Sequence, residues 1–218
     1  MKVLKFGGTS VADSRSINNV ISILESNDDP LFIVVSALSG ITNLLQKCLN
    51  KKGESVNNII TEIEQRHLEI ITNMCDYDNQ TSLKKFLSDN LNELDDLLKL
   101  NSETSEVSFE KKSEVLTLGE ILSSNIISEI LRQKGLDIFH IDSRELIFTK
   151  DSNNNIQLDD EKTSNSITKI VSSIKSKLII SPGYICSDQE GKTSNLGRGG
   201  SDYSAAIYAK YLNAKVLE

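Results

Sequence analysis

The sequence predicts an α/β protein, a three-layer α/β/α sandwich around a mostly parallel sheet with a helical insertion. Three observations predict it. Short Val/Ile/Leu runs are continuous rather than alternating, as in strands buried on both faces. Amphipathic helical patterns fall between those runs. A stretch from Asn50 to about Asn101 carries helical periodicity and no strand signal.

In chain order, Val3–Phe6 reads as the first strand and Ile17, Val20, Ile21 and Leu24 as the buried stripe of the first helix. Leu31–Val35 is the second strand, and Leu44, Leu45, Cys48 and Leu49 mark the helix after it. Two long helices follow, Val56 to about Met74 and Leu83–Leu98. The second has Leu83, Phe86, Leu87, Leu91, Leu94, Leu97 and Leu98 at three- and four-residue steps. They form the insertion, about 50–110, within one domain spanning 1–218. A helix over Lys111–Arg132 is closed by Gly135 at a C-cap position. Leu136–Ile141 and Leu178–Ile180 are further strands, with a helix carrying Ile167, Ile170, Val171 and Ile174 between them. Phe148–Leu158, with Asp-Ser-Asn-Asn-Asn inside it, predicts a turn or small hairpin. A last helix runs over Gly200–Leu212, and a fifth strand begins at Ala214–Leu217.

The 218 residues suffice for a sizeable core. A net charge of −7 argues against duplex DNA as a partner. Cys48, Cys75 and Cys186 lie far apart with no CxxC pair, which predicts buried thiols in a reducing compartment. The opening MKVLKF is too short for a signal sequence, and Leu31–Val35, the longest apolar run, is too short for a membrane span. A cytoplasmic protein without membrane contact is expected.

Five segments carry candidate chemistry. Lys5–Ser10, KFGGTS, follows the first strand. Gly7 and Gly8 let the backbone approach a ligand, Thr9, Ser10 or Asp13 can cap the next helix, and Lys5 adds a full charge. The layout suits phosphate, although on spacing alone a tight strand-to-helix turn is the commoner reading; it is neither a Walker A loop nor GxGxxG. Ser36–Asn43, SALSGITN, follows the second strand, where open α/β sheets bind ligands. Its Ser36, Ser39 and Thr42 are candidates for ligand hydrogen bonds or for capping. Thr117–Glu120, TLGE, puts Gly119 and Glu120 in an apolar helical pattern. Gly119 marks a close approach or a helix start, and Glu120 is a solvated acid or a buried carboxylate that needs a cation. Ser181–Tyr184, SPGY, ends a strand. Leu196–Ala206, LGRGGSDYSAA, sets Arg198 among three glycines before Ser201 and Asp202 open a helix. Arginine suits bidentate carboxylate recognition, and Asp202 sits where a helix dipole stabilises an acid.

With all five in this order, the chain resembles the aspartokinases of the amino-acid kinase superfamily. KFGGTSVAD at Lys5–Asp13, SALSGITNLL at Ser36–Leu45, Gly119–Glu120, Pro182–Tyr184 and LGRGGSDYSAA carry the resemblance. It implies an ATP- and Mg²⁺-dependent transfer of phosphate to the side-chain carboxylate of L-aspartate. The product is 4-phospho-L-aspartate, the entry to lysine, threonine and methionine synthesis. It implies that Lys5 binds the transferring phosphates in a loop shaped by Gly7, Gly8, Thr9 and Ser10. Ser36, Thr42, Glu120, Arg198 and Ser201 would hold aspartate, with Glu120 on its ammonium and Arg198 on its carboxylate. Asp202 would orient Lys5. His67 and His140 lie in no motif and are expected to be structural. Family members continue into the rest of the ATP-binding half and regulatory ACT domains, so weak or no turnover is expected of these residues alone. An unpaired sheet edge predicts a homo-oligomer. Two alternatives stay open: another carboxylate-directed kinase, for acetylglutamate or glutamate, and a non-catalytic aspartate-binding or assembly module.

Overall fold

A computed structural model describes residues 1–51, 53–100, 107–150 and 157–218. Strands β1 (Lys2–Phe6), β2 (Leu31–Val35), β3 (Ile138–His140) and β4 (Leu178–Pro182) form a parallel sheet in the order β1-β2-β4-β3. Val3 pairs with Phe32, and Phe32 with Ile179. The C-terminal residues extend the sheet along the free edge of β1. Val3 N–H donates to Val216 O (2.9 Å), Lys5 N–H to Glu218 O (2.7 Å) and Glu218 N–H to Val3 O (3.1 Å). All five predicted strand segments thus lie side by side.

Every residue of β2 is buried because helices cover both faces. Leu31, Ile33 and Val35 enter one core with α1 (Ser14–Glu25), α2 (Ile41–Leu49), α3 (Glu54–Met74), α4 (Tyr77–Leu100) and α5 (Phe109–Gln133). Phe32 and Val34 enter the other with α6 (Asp160–Ser173) and α7 (Gly200–Tyr211). The strand period of two sends alternate side chains to opposite layers, so one apolar run feeds both cores. The α3–α4 pair packs on α2 and α5, and its Ile63, Leu87 and Leu94 belong to the first core.

Local signals set the helix ends. Asp13 Oδ1 accepts from Ser16 N–H at 2.7 Å and starts α1 after a short 3-10 turn, Gly8–Val11. Ser108 Oγ caps α5, and Gly135, with φ of 84°, follows its end. Tyr208 anchors α7 on the sheet. Its ring packs on Phe32 at 4.2 Å between centroids, and its hydroxyl donates to Ser143 Oγ at 2.9 Å.

The sequence-based prediction does not include an antiparallel hairpin of β5 (Ile185–Ser187) and β6 (Thr193–Asn195). Asp188 Oδ1 closes its turn by accepting from Glu190 and Lys192 N–H, both at 2.9 Å. Strands of three residues are too short for a readable period. The expected turn at Phe148–Leu158 is partly visible: Lys150 N–H donates to Gln157 O at 2.8 Å, while residues 151–156 lie outside the described set.

Candidate active site

The carboxyl ends of β1 and β2, the start of α7 and the middle of α5 surround one cavity of about 640 Å³, within the range of small-ligand sites. The β1 side supplies Lys5, Gly8 and Thr9, and the loop after β2 supplies Ser36 and Ser39. Thr42 comes from the first turn of α2, Glu120 from α5, and Arg198, Ser201 and Asp202 from the start of α7. Lys5 and Arg198 are 193 residues apart in sequence (198 − 5) and face the same space. Gly7 and Ser10 do not line it. They complete the adjoining 3-10 turn, in which Ser10 N–H donates to Gly7 O at 2.9 Å.

The charges differ in their surroundings. Lys5 Nζ lies 2.7 Å from Asp202 Oδ1, with the lysine side chain 24% exposed and the aspartate 73%. An exposed pair of this kind adds little stability but fixes the direction of the ammonium. Arg198 is exposed between Gly197 and Gly199, whose φ angles of 72° and 74° turn the chain sharply. It makes no hydrogen bond or ion pair among the described residues.

Glu120 is only 4% exposed, and its Oε2 has no partner among the described residues. Desolvation raises its pKa to about 8, although the Ala37 N–H opposes the shift. Of the two readings open at Glu120, burial is the observed one. Gly119 explains how a carboxylate came to rest there. A methyl on Gly119 would lie 2.8 Å from Ala37 Cβ, so α5 reaches the β2 loop only because that position has no side chain. The other expectation, a helix start at Gly119, does not hold, because α5 begins ten residues earlier (119 − 109).

Both histidines lie outside the cavity. His67 is fully buried, its Nδ1–H donating to Ile63 O at 2.7 Å, and burial holds its pKa near 4. His140 meets Ser124 Oγ at 3.0 Å, and burial likewise lowers it to about 4. All three cysteines are buried and free. Among the described residues no helix is long and apolar enough to cross a membrane.

Two lining residues escaped the sequence reading: Gln46 lies one helical turn beyond Thr42 on α2, and Leu116 one turn before Glu120 on α5. Their helical spacing from those two residues could have found them. Asn43, which ends a segment already singled out, lines the cavity as well. Tyr184 also lines the space, with φ of 70°. Its N–H donates to Ser204 Oγ at 2.9 Å, and its O accepts from Leu196 N–H at 2.8 Å. Left-handed backbone at a tyrosine is strained and persists only under such bracing. Asn195, on the unforeseen hairpin, donates from Nδ2 to Ser113 Oγ of α5 (2.8 Å) and accepts from Gly197 N–H (2.9 Å). It ties the Arg198 loop to the helix bearing Glu120.

The chain is similar to known proteins. The chain is 31% identical to lysine-sensitive aspartokinase 3 of Escherichia coli over 99% of its own length and 47% of the relative's. It is 29% identical to the chloroplastic bifunctional aspartokinase/homoserine dehydrogenase 2 of Arabidopsis thaliana, over 98% of its own length and 24% of the relative's. The crystal structure of E. coli aspartokinase III in complex with aspartate and ADP superposes with a TM-score of 0.92 at 28% identity, over 100% of this chain and 48% of that one. The chain therefore spans a half or less of the length of these relatives. The model of the amino acid kinase family matches residues 1–218, and with the parallel sheet and the strand-tip cavity this establishes that the chain belongs to the amino acid kinase family.

Proposed function

We propose that the chain is part of the catalytic domain of an aspartate kinase, which transfers the γ-phosphoryl group of ATP to the side-chain carboxylate of L-aspartate. In this reading residues 1–218 form one unit with a helical insertion at about 50–110. The observation that carries it is the convergence on one cavity of Lys5 with Asp202, of Arg198, which is unpaired among the described residues, and of the buried Glu120, whose Oε2 has no partner among them. The neighbouring E. coli structure holds aspartate and ADP.

The chemistry follows from charge. An aspartate side chain has a pKa of ~3.9 and is already ionised at neutral pH. No general base is needed, which agrees with both histidines lying away from the cavity. The obstacle is repulsion between the carboxylate and a polyphosphate, ~4 kcal/mol for two unit charges at 4 Å and an effective dielectric of 20. Lys5 offsets charge on the phosphates, assisted by the backbone of Gly8 and Thr9, which face the cavity. Arg198 takes the α-carboxylate, with Ser36, Thr42 and Ser201 as hydrogen-bonding partners. Glu120 takes the ammonium, and Asp202 directs Lys5. Alignment and neutralisation then supply the catalysis. Losing one well-aimed donor at such a site costs ~10²–10³ in rate.

Magnesium, when bound on the nucleotide, would spread charge over the β- and γ-phosphates. Among the described residues no cluster of three or more His, Cys, Asp or Glu gathers at one point. The exposed Asp202 carboxylate is the acid beside Lys5 that would meet such an ion, a donor set that fits a metal held largely by phosphates. A cytoplasmic setting and self-association belong to the same reading; light scattering that finds only monomer would count against the second.

Calorimetry of the chain with L-aspartate and with N-acetyl-aspartate tests the reading. Aspartate is expected to bind and the acetylated form to bind far more weakly, because a buried acid without a cation is costly. Equal binding of the two would favour a kinase for N-acylated substrates, and no binding of either would refute the proposal.

A further inference from the structure

We propose that Arg66, delivered by the helical insertion, is a positioning residue for the candidate active site. It holds the Ser36–Gly40 loop in the shape that forms one wall of the cavity. The inference rests on the reading of that cavity as an aspartate site.

Arg66 lies on α3, 27 residues from Ser39, and its Nη2 donates to Ser39 O at 2.5 Å. Its Nη1 sits 3.2 Å from where a methyl on Gly40 would be. The guanidinium is half-buried and meets no carboxylate among the described residues, so this carbonyl is its partner. A charged donor on a backbone carbonyl makes one of the stronger hydrogen bonds available to a loop.

The same peptide segment is held from its other side. Ser39 N–H donates to Gly8 O at 3.1 Å, which joins the β2 loop to the glycine loop after β1. A methyl on Gly8 would approach Ala37 O to 2.8 Å, so the two loops pack backbone against backbone. Ser39 is therefore clamped between Gly8 and Arg66. The next residues, Gly40 and Ile41, begin α2, whose N-cap has no side-chain hydrogen bond. Thr42 and Asn43 in its first turn face the cavity. No capping side chain fixes this helix start, so the Arg66 clamp on the preceding residue sets its direction. A shift of Ser39 would move the start of α2 and with it Thr42 and Asn43, whereas Ser36 is held separately, its N–H donating to Phe6 O at 3.1 Å and its O accepting from Ser123 Oγ at 2.8 Å.

Hydrogen exchange and calorimetry on the chain test this with Arg66→Ala and Arg66→Lys. In the ligand-free protein, Arg66→Ala should speed exchange of the Ser39 and Ile41 amides about tenfold, with β2 and α5 amides unchanged. Its aspartate dissociation constant should rise by about the same factor. Arg66→Lys, which keeps a charged donor, should recover most of both effects. Unchanged exchange at Ser39 in Arg66→Ala would overturn the proposal. So would a rise spread equally over β2 and α5, or a lysine variant no better than alanine. If the unaltered chain takes up no aspartate, the proposed function fails, while exchange at Ser39 still decides the role of Arg66.

Discussion

The two walls of the cavity reach the same space by opposite physical means. The wall made by α5 and the β2 loop is dry: Glu120 is 4% exposed, and Gly119 brings its helix against Ala37. The wall made by Gly197–Asp202 is wet: Arg198 is exposed and the Asp202 side chain 73% so. A dry wall discriminates, because a buried carboxylate without a cation is unfavourable and one with an ammonium is strongly favoured. A wet wall attracts and adapts, because its charges are already solvated and change partners at low cost. In the proposed reaction the first wall selects the ammonium of the amino acid, while the second takes the α-carboxylate through Arg198 and steers Lys5 toward the phosphates through Asp202.

Glu120→Gln should break the contrast most severely. It leaves the shape of the dry wall and removes its charge, so aspartate affinity should fall about tenfold to a hundredfold on calorimetry. The same residue gives a pH signature. Unfolded, its carboxyl ionises near 4.5; folded, it stays protonated to about 8. The folded chain therefore holds one proton more across that window, and this group's contribution to stability falls as pH rises through it. Denaturant melts of the ligand-free chain at pH 5 and pH 8 should show that decline, and Glu120→Gln should flatten it. An ammonium seated on Glu120 favours ionisation, so aspartate binding at pH 7 should release protons. Calorimetry in buffers of different ionisation enthalpy reads this, and identical heats in all buffers would contradict it.

Gly119→Val attacks the same wall through packing. Its branched side chain would drive α5 away from Ala37 and Ile41, at a cost of about 1–3 kcal/mol in urea unfolding. Unchanged stability would mean that the close approach is not needed. On the wet wall, Asp202→Asn should alter stability by less than about 1 kcal/mol. Its effect should appear instead in nucleotide handling, with aspartate affinity nearly unchanged. A large loss of aspartate affinity would contradict the role given to Asp202 as the partner of Lys5 rather than of the amino acid.

The hairpin of β5 and β6 and the residue Arg66 show why part of the molecule could not be foreseen. Each strand of the hairpin has three residues, less than two periods of alternation, and its role in holding the Arg198 loop depends on Asn195 meeting Ser113, 82 residues away. Arg66 sits on an exposed-looking stretch of an amphipathic helix, and nothing local distinguishes it from Lys84 or Lys85. By contrast, Lys5, Gly8, Ser36 and Thr42 stood out because they follow apolar strands, where open α/β sheets bind ligands, and Arg198 because glycines surround it just before a helix. The parallel sheet was equally legible, since a run such as Leu31–Val35 can be buried on both faces only between two helical layers.

Local chemistry thus set the strands, the helix stripes, the caps at Asp13 and Gly135, and the short list of residues able to meet phosphate or a carboxylate. These are properties of a few neighbouring residues and survive in the chain order. Whether Glu120 is wet or dry, whether Lys5 meets Asp202, and whether Arg66 reaches Ser39 all depended on how distant elements pack. Burial and pairing are properties of the space between segments, and that space exists only once the chain has folded.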